Sequence, residues 1–168
     1  MSDYMRTTRE CSVRQLHPEQ LEAIQSYFQE HRLGDLAAET LLCCETISRR
    51  KNSSRLVSLL KGESDTTIQT GIVLTPQWLI WVRRGEHSGL LLNAANLKEI
   101  RARAYVSIFT KDTGLEILGY IDHSKGLVQG YIGMGTEPAA QKFCEEVIKA
   151  IFIVNPPSKR SLPRWLAG

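Results

Sequence analysis

No apolar run in this chain approaches the length needed to cross a bilayer. The longest, Ala150 to Val154, falls far short of the ~20 residues a spanning helix requires. No CxxC spacing joins the four cysteines, Cys11, Cys43, Cys44 and Cys144. They read as reduced thiols, which excludes a disulfide framework or a zinc site of the usual spacing. His17, His31, His87 and His123 are scattered without ligand spacing, so no metal and no cofactor is expected. The opening stretch, MSDYMRTTREC, has acidic and polar residues and no apolar core segment. It is not read as a secretory signal, and the expected location is cytoplasmic. The net charge of +3 over 168 residues is only mildly basic, well short of a nucleic-acid footprint. No nucleic-acid partner is therefore expected.

What the chain does have is organised around the stretch 136–154, TEPAAQKFCEEVIKAIFIV. Ala140, Phe143, Cys144, Val147, Ile148, Ile151 and Phe152 recur at helical spacing, with Gln141, Lys142, Glu145, Glu146 and Lys149 between them. Thr136 is the expected cap, Pro138 fits the first turn, and Asn155-Pro156-Pro157 ends the helix. A stripe that wide needs an apolar surface, which the preceding strands must supply. A first helix is expected over 18–33, with Leu21, Ile24 and Phe28 on one face and Gly34 as its stop. Residues 1–16 read as polar and loosely held.

From residue 39 the period becomes that of strands. Strands are expected over 40–49, 68–75, 77–84, 90–93, 97–104, 115–121 and 127–134, with 105–109 extended and 56–60 a short strand or helical turn. Few connections are long enough for a crossover helix, so the strands should be antiparallel. The expected class is α+β, mainly β: seven antiparallel strands in two packed sheets forming a partly open barrel, with the C-terminal helix plugging its open end. Residues 1–38 form a tail and helical appendage, 39–155 the main domain, and 156–168 a tail laid on the surface.

Residues 39–154 resemble the pleckstrin-homology superfold, in particular its small bacterial members. The features that carry the likeness are GIVLTPQWLIWV (71–82), DTGLEILGYIDHSKGLVQGYIGMG (112–135) and EPAAQKFCEEVIKAI (137–151). The resemblance implies a seven-stranded, two-sheet barrel capped by a helix. It also implies a non-enzymatic role, since such folds bind lipid headgroups, peptides or proteins and seldom catalyse. In lipid-binding members, phosphates sit among the loops after the first, third and sixth strands. Here those loops hold Arg49, Arg50, Lys51 and Arg55, then Arg83 and Arg84, then Lys125. Converging at one rim, they could hold a phosphorylated headgroup or an acidic peptide. The family's lipid signature is incomplete: Lys51 and Arg55 begin it, but Val57 stands where a basic residue belongs, and Arg101 and Arg103 have the right spacing on another strand. The leading expectation is therefore a protein- or peptide-interaction module, acting at the sheet edge beside the final helix or at the basic rim. The alternative is a peripheral binder of anionic lipid headgroups. An uncovered strand edge could also pair two copies.

Other motifs weigh less. Asp112-Thr113-Gly114 copies the aspartic-protease triplet, but Thr110 and Lys111 precede it where a buried apolar strand is required, and Asp-x-Gly is a common turn. A hydrolase at Asp112 is accordingly the least favoured reading. Gly133-x-Gly135 hints at a dinucleotide fingerprint, but Pro138 replaces the third glycine and too little chain follows. Adjacent Cys43 and Cys44 should place one thiol inside and one outside. Trp78 and Trp81, three apart on a strand, should face opposite sides, one in the core and one covered by the first helix or the tail.

Overall fold

The computed structural model describes residues 4–51, 65–106, 112–122 and 126–156. Its architecture is α+β, mainly β. Strands β1 (Tyr4–Glu10), β2 (Leu42–Arg50), β3 (Thr67–Leu74), β4 (Trp78–Gly85) and β5 (Gly89–Asn96) form a five-stranded sheet in that order, antiparallel throughout. Strands β6 (Ile100–Val106), β7 (Thr113–Gly119) and β8 (Val128–Gly133) form a second, three-stranded antiparallel sheet. The helices are α1 (Pro18–Glu30), the single turn α2 (Leu36–Glu39) and α3 (Pro138–Val154). The described strands number eight, not seven, and the two sheets do not close into a barrel.

The added strand is β1, which the sequence presents as a loose polar tail. Of its seven residues only Thr8 is buried. It is an edge strand held by backbone pairing to β2, Tyr4 opposite Arg50 through Glu10 opposite Cys44, so its composition carries no apolar signal. The Thr8 hydroxyl bonds that of Thr46 on β2 at 2.8 Å and accepts the Gly135 N–H at 2.8 Å, tying this edge to the chain that enters α3.

Alternation along the five-stranded sheet feeds two separate cores. Cys44, Ile72, Leu74, Leu79, Trp81 and Ala95 face the second sheet and α3. Cys43, Val73, Ile80, Val82 and Ala94 face the other way, onto Ile24, Tyr27 and Phe28 of α1. Both adjacent thiols are therefore inside, 2% and 0% exposed, and neither is the outward one expected, because α1 covers the face that would otherwise meet solvent. Trp78 packs on α1, its ring edge-on to Tyr27 at 6.1 Å, while Trp81 points into the inter-sheet core. Gln20 of α1 is fully buried, and its amide donates to the carbonyls of Gln69 and Val82 at 3.1 and 3.0 Å, bolting the helix to β3 and β4.

Helix α3 has Pro138 in its first turn and stops at Asn155 as expected, but the C-terminal closure of α1 and the N-cap of α3 differ from their expected residues. Helix α1 stops at Glu30 and is closed by Arg32 in the left-handed region (φ 54), with Leu33 N–H bonded to Phe28 O and Arg32 N–H to Gln29 O. That is a Schellman closure, formed two residues before Gly34. At α3 the cap is Glu137, not Thr136. The residue before a proline is driven to extended backbone, and the Glu137 carboxylate reaches away to accept the Thr8 N–H at 3.0 Å.

The chain passes from one sheet to the other through a 3-10 turn, Leu97–Glu99. Helix α3 then lies across the gap, packing on β6 above all and on β1, β2 and that turn. Asn155 donates to the Leu97 carbonyl at 2.9 Å, fixing its far end. The stretches 56–60 and 107–109 and the tail 157–168 lie outside the described residues. Phe143 of α3 is fully buried at the centre of the inter-sheet core. Phe143→Ala should lower the unfolding free energy by about 3–5 kcal/mol, measured by urea denaturation.

Candidate functional site

The basic residues singled out from sequence do not all meet. Strands β2 and β4 run in the same sense, so Arg49, Arg50, Arg83 and Arg84 lie at one end of the five-stranded sheet. Alternation then splits each pair across the two faces. Arg84 turns to the α1 side and forms an ion pair with Glu19 at 2.5 Å, which holds the Glu19 carboxyl below its ordinary range. Arg83 turns to the inter-sheet side. Arg49 is exposed on the α1 side, next to Lys51 at the strand's end. Arg55 and Lys125 lie outside the described residues.

On the inter-sheet side, every strand of the large sheet contributes to one chamber of about 380 Å³. Its lining includes Tyr4 and Arg6 from β1, Ser48 from β2, Thr70 from β3, Trp81 and Arg83 from β4, and Asn93 from β5. Ile121 and residues 130–133 of β8 close it from the second sheet. The inner face of the large sheet thus has an apolar half under α3 and a polar half over the chamber. Arg6 is ion-paired with Asp112, and its guanidinium lies 6.0 Å from the Tyr4 ring centroid and 5.9 Å from that of Tyr131. Two aromatic faces near a cation are attractive for it. Gly133 makes room for this arrangement, since a Cβ there would collide with the Arg6 guanidinium. Asp112, the head of the protease-like triplet, serves here as Arg6's counter-ion, and Thr113 and Gly114 already belong to β7 rather than to a turn.

A second cavity, about 360 Å³, lies between α3 and the adjoining ends of β6, β7 and β8, beside the edge of β6 that no strand pairs with among the described residues. Ala104 and Val106 of β6 form one wall, Ala140, Cys144 and Ile148 of α3 the other, with Met134 at its floor. Val106 is 72% exposed. The outer face of this sheet carries Arg103, which with Gln129 holds the Glu116 carboxyl below its usual range. No family model, curated protein or solved structure matches the chain.

The histidines take structural roles. His17 caps α1 through Nδ1, which accepts the Glu19 N–H at 3.4 Å, and His31 stacks on Tyr27 at 4.1 Å. Among the described residues no group of three or more His, Cys, Asp or Glu could hold a metal ion, and no helix is long and apolar enough to cross a membrane. The chamber was not legible in advance, because five of its strands each give it one or two polar residues from positions far apart in sequence. The one available signal was polar interruption of inward positions, Ser48, Thr70 and Asn93, in otherwise apolar strands.

The thiols differ sharply. Cys11 is half-buried, its sulfur 3.7 Å from that of Cys43, and hydrogen bonding from Cys43 lowers its pKa. Burial pushes the Cys44 thiol up to about 12 and Cys144 up to about 11, and the contact with Cys11 raises Cys43. The thiolate is the reactive form. Ellman's reagent should therefore find one fast thiol in the native protein and the remainder only in guanidinium. Cys11→Ser should remove the fast phase.

Proposed function

We propose that this chain is a non-enzymatic interaction module of pleckstrin-homology type that captures an extended peptide on the free edge of β6, beside α3. The order of β2 to β5, then β6 to β8, then α3 supports the fold reading: four strands, three strands and a closing helix, with β1 added at the outer edge. The observation that carries the functional reading is the groove itself. An edge strand offers alternate backbone N–H and C=O groups to a further strand. The seven residues of β6 offer about 20 Å of such edge. Directly beside that edge, Ala104, Ala140, Cys144 and Ile148 form apolar walls that can accept side chains from every second residue of the incoming segment. Backbone pairing supplies the affinity in this mode and the side-chain pockets the selectivity. The occupant is thus an extended segment of a partner with apolar residues at alternate positions.

The competing outcome is attachment to an anionic membrane through Arg49, Arg50 and Lys51. The split of Arg83 and Arg84 and the Glu19 ion pair leave that rim with fewer convergent charges than a headgroup site uses. Selection of a random dodecapeptide display library on the full chain tests the proposal. Enriched peptides should alternate apolar residues, and Ile148→Lys should weaken them at least about tenfold, or ~1.4 kcal/mol, without lowering the melting temperature. Changing Arg49, Arg50 and Lys51 together to Ala should leave their affinity unaltered. Failure to enrich any peptide, or binders indifferent to Ile148→Lys, would sink it. Sedimentation with phosphatidylserine vesicles that the triple variant abolishes would favour the membrane instead.

A further inference from the structure

We infer that the inter-sheet chamber is a second binding site, for a small organic monocarboxylate with an apolar body. The chamber's volume of about 380 Å³ falls in the range of small-molecule sites. It is concave, formed by strands rather than loops, and lies at the opposite end of the inter-sheet space from α3. The peptide groove is separate from it and neither site needs the other.

Three features select the ligand. First, Ser48 and Thr70 are 6% and 8% exposed and line the chamber, yet their hydroxyls have no protein hydrogen-bond partner among the described residues, and neither does the Asn93 side chain. These polar atoms open onto the chamber rather than being sealed in the core, and several unpartnered ones facing one concave space are available to bond a polar ligand. Second, the charge is set to one. Arg6 is already answered by Asp112, whereas Arg83 at the mouth has no acidic partner among the described residues. A single unanswered guanidinium matches a single carboxylate, which it can engage through two parallel N–H···O bonds. A dianion such as phosphate would bring a second charge, and among the described residues the chamber's lining offers only Arg6, already paired with Asp112, beside Arg83. Third, the remaining walls are hydrocarbon: Trp81, Ile68 and Ile132 give a carbon chain or ring an apolar bed.

Octanoate, benzoate, octan-1-ol and inorganic phosphate discriminate these features when titrated into the full chain, with binding read by saturation-transfer NMR and calorimetry. Octanoate or benzoate should bind with a Kd below about 1 mM, and octan-1-ol and phosphate at least about tenfold more weakly. Arg83→Gln alters an exposed side chain and should cost the carboxylate at least about tenfold with the melting temperature unchanged. Thr70→Leu fills the chamber and should abolish binding, and Arg49→Gln, on the opposite face, should leave it intact. The inference is overturned if neither carboxylate binds at millimolar concentration, if phosphate binds as tightly, or if Arg83→Gln binds like the native chain.

Discussion

The large sheet has to be covered on both faces at once, and the rest of the molecule follows from that requirement. Each of its inner strands sends alternate residues into two different cores. A sheet of that kind cannot stand alone. It needs α1 on one side and the second sheet with α3 on the other, and removing either cover would expose a row of aliphatic side chains to water. The buried amide of Gln20 shows how the outer cover is registered. It reaches two backbone carbonyls on neighbouring strands, so the helix can dock at only one position along them.

Strand alternation was legible wherever apolar residues wrote it. The hairpins from 67 to 85 and from 113 to 133, and both long helices, are where composition and period agree. Strand β1 was not legible, because an edge strand with one buried residue has no need of an apolar pattern. Nor could the sequence show that Cys43 and Cys44 are both interior. Alternation says only that they face opposite ways, and whether the second face is wet depends on where α1 docks. The caps failed for a related reason. Thr136 and Gly34 are suitable residues at suitable places, but Pro138 sets the backbone of Glu137, and Leu33 closing over Phe28 ends α1 earlier.

The pleckstrin-homology resemblance drew attention to loops, whereas the structure puts its best-formed polar site on strands. The resemblance implies that arginines of three separate loops converge at one rim, whereas the pleat sends Arg83 and Arg84 to opposite faces. Residues that do meet, such as Arg6, Thr70 and Asn93, are separated by tens of positions and come together only because five strands share one register.

The division of the inner face into an apolar and a polar half is the feature with most consequence. Filling the polar half with aliphatic side chains would have extended the core and stabilised the fold by the usual increment per buried group. Keeping Ser48, Thr70 and Asn93 there, with two arginines beside them, gives up that increment. Among the described residues no protein group bonds to these three side chains, whereas the buried Thr8 and Thr46 hydroxyls bond to each other. Polar groups left over in a concave, half-apolar space are what a small amphipathic ligand requires. The two ends of the inter-sheet gap therefore differ in kind: α3 closes one over an apolar core, and the other stays open and polar.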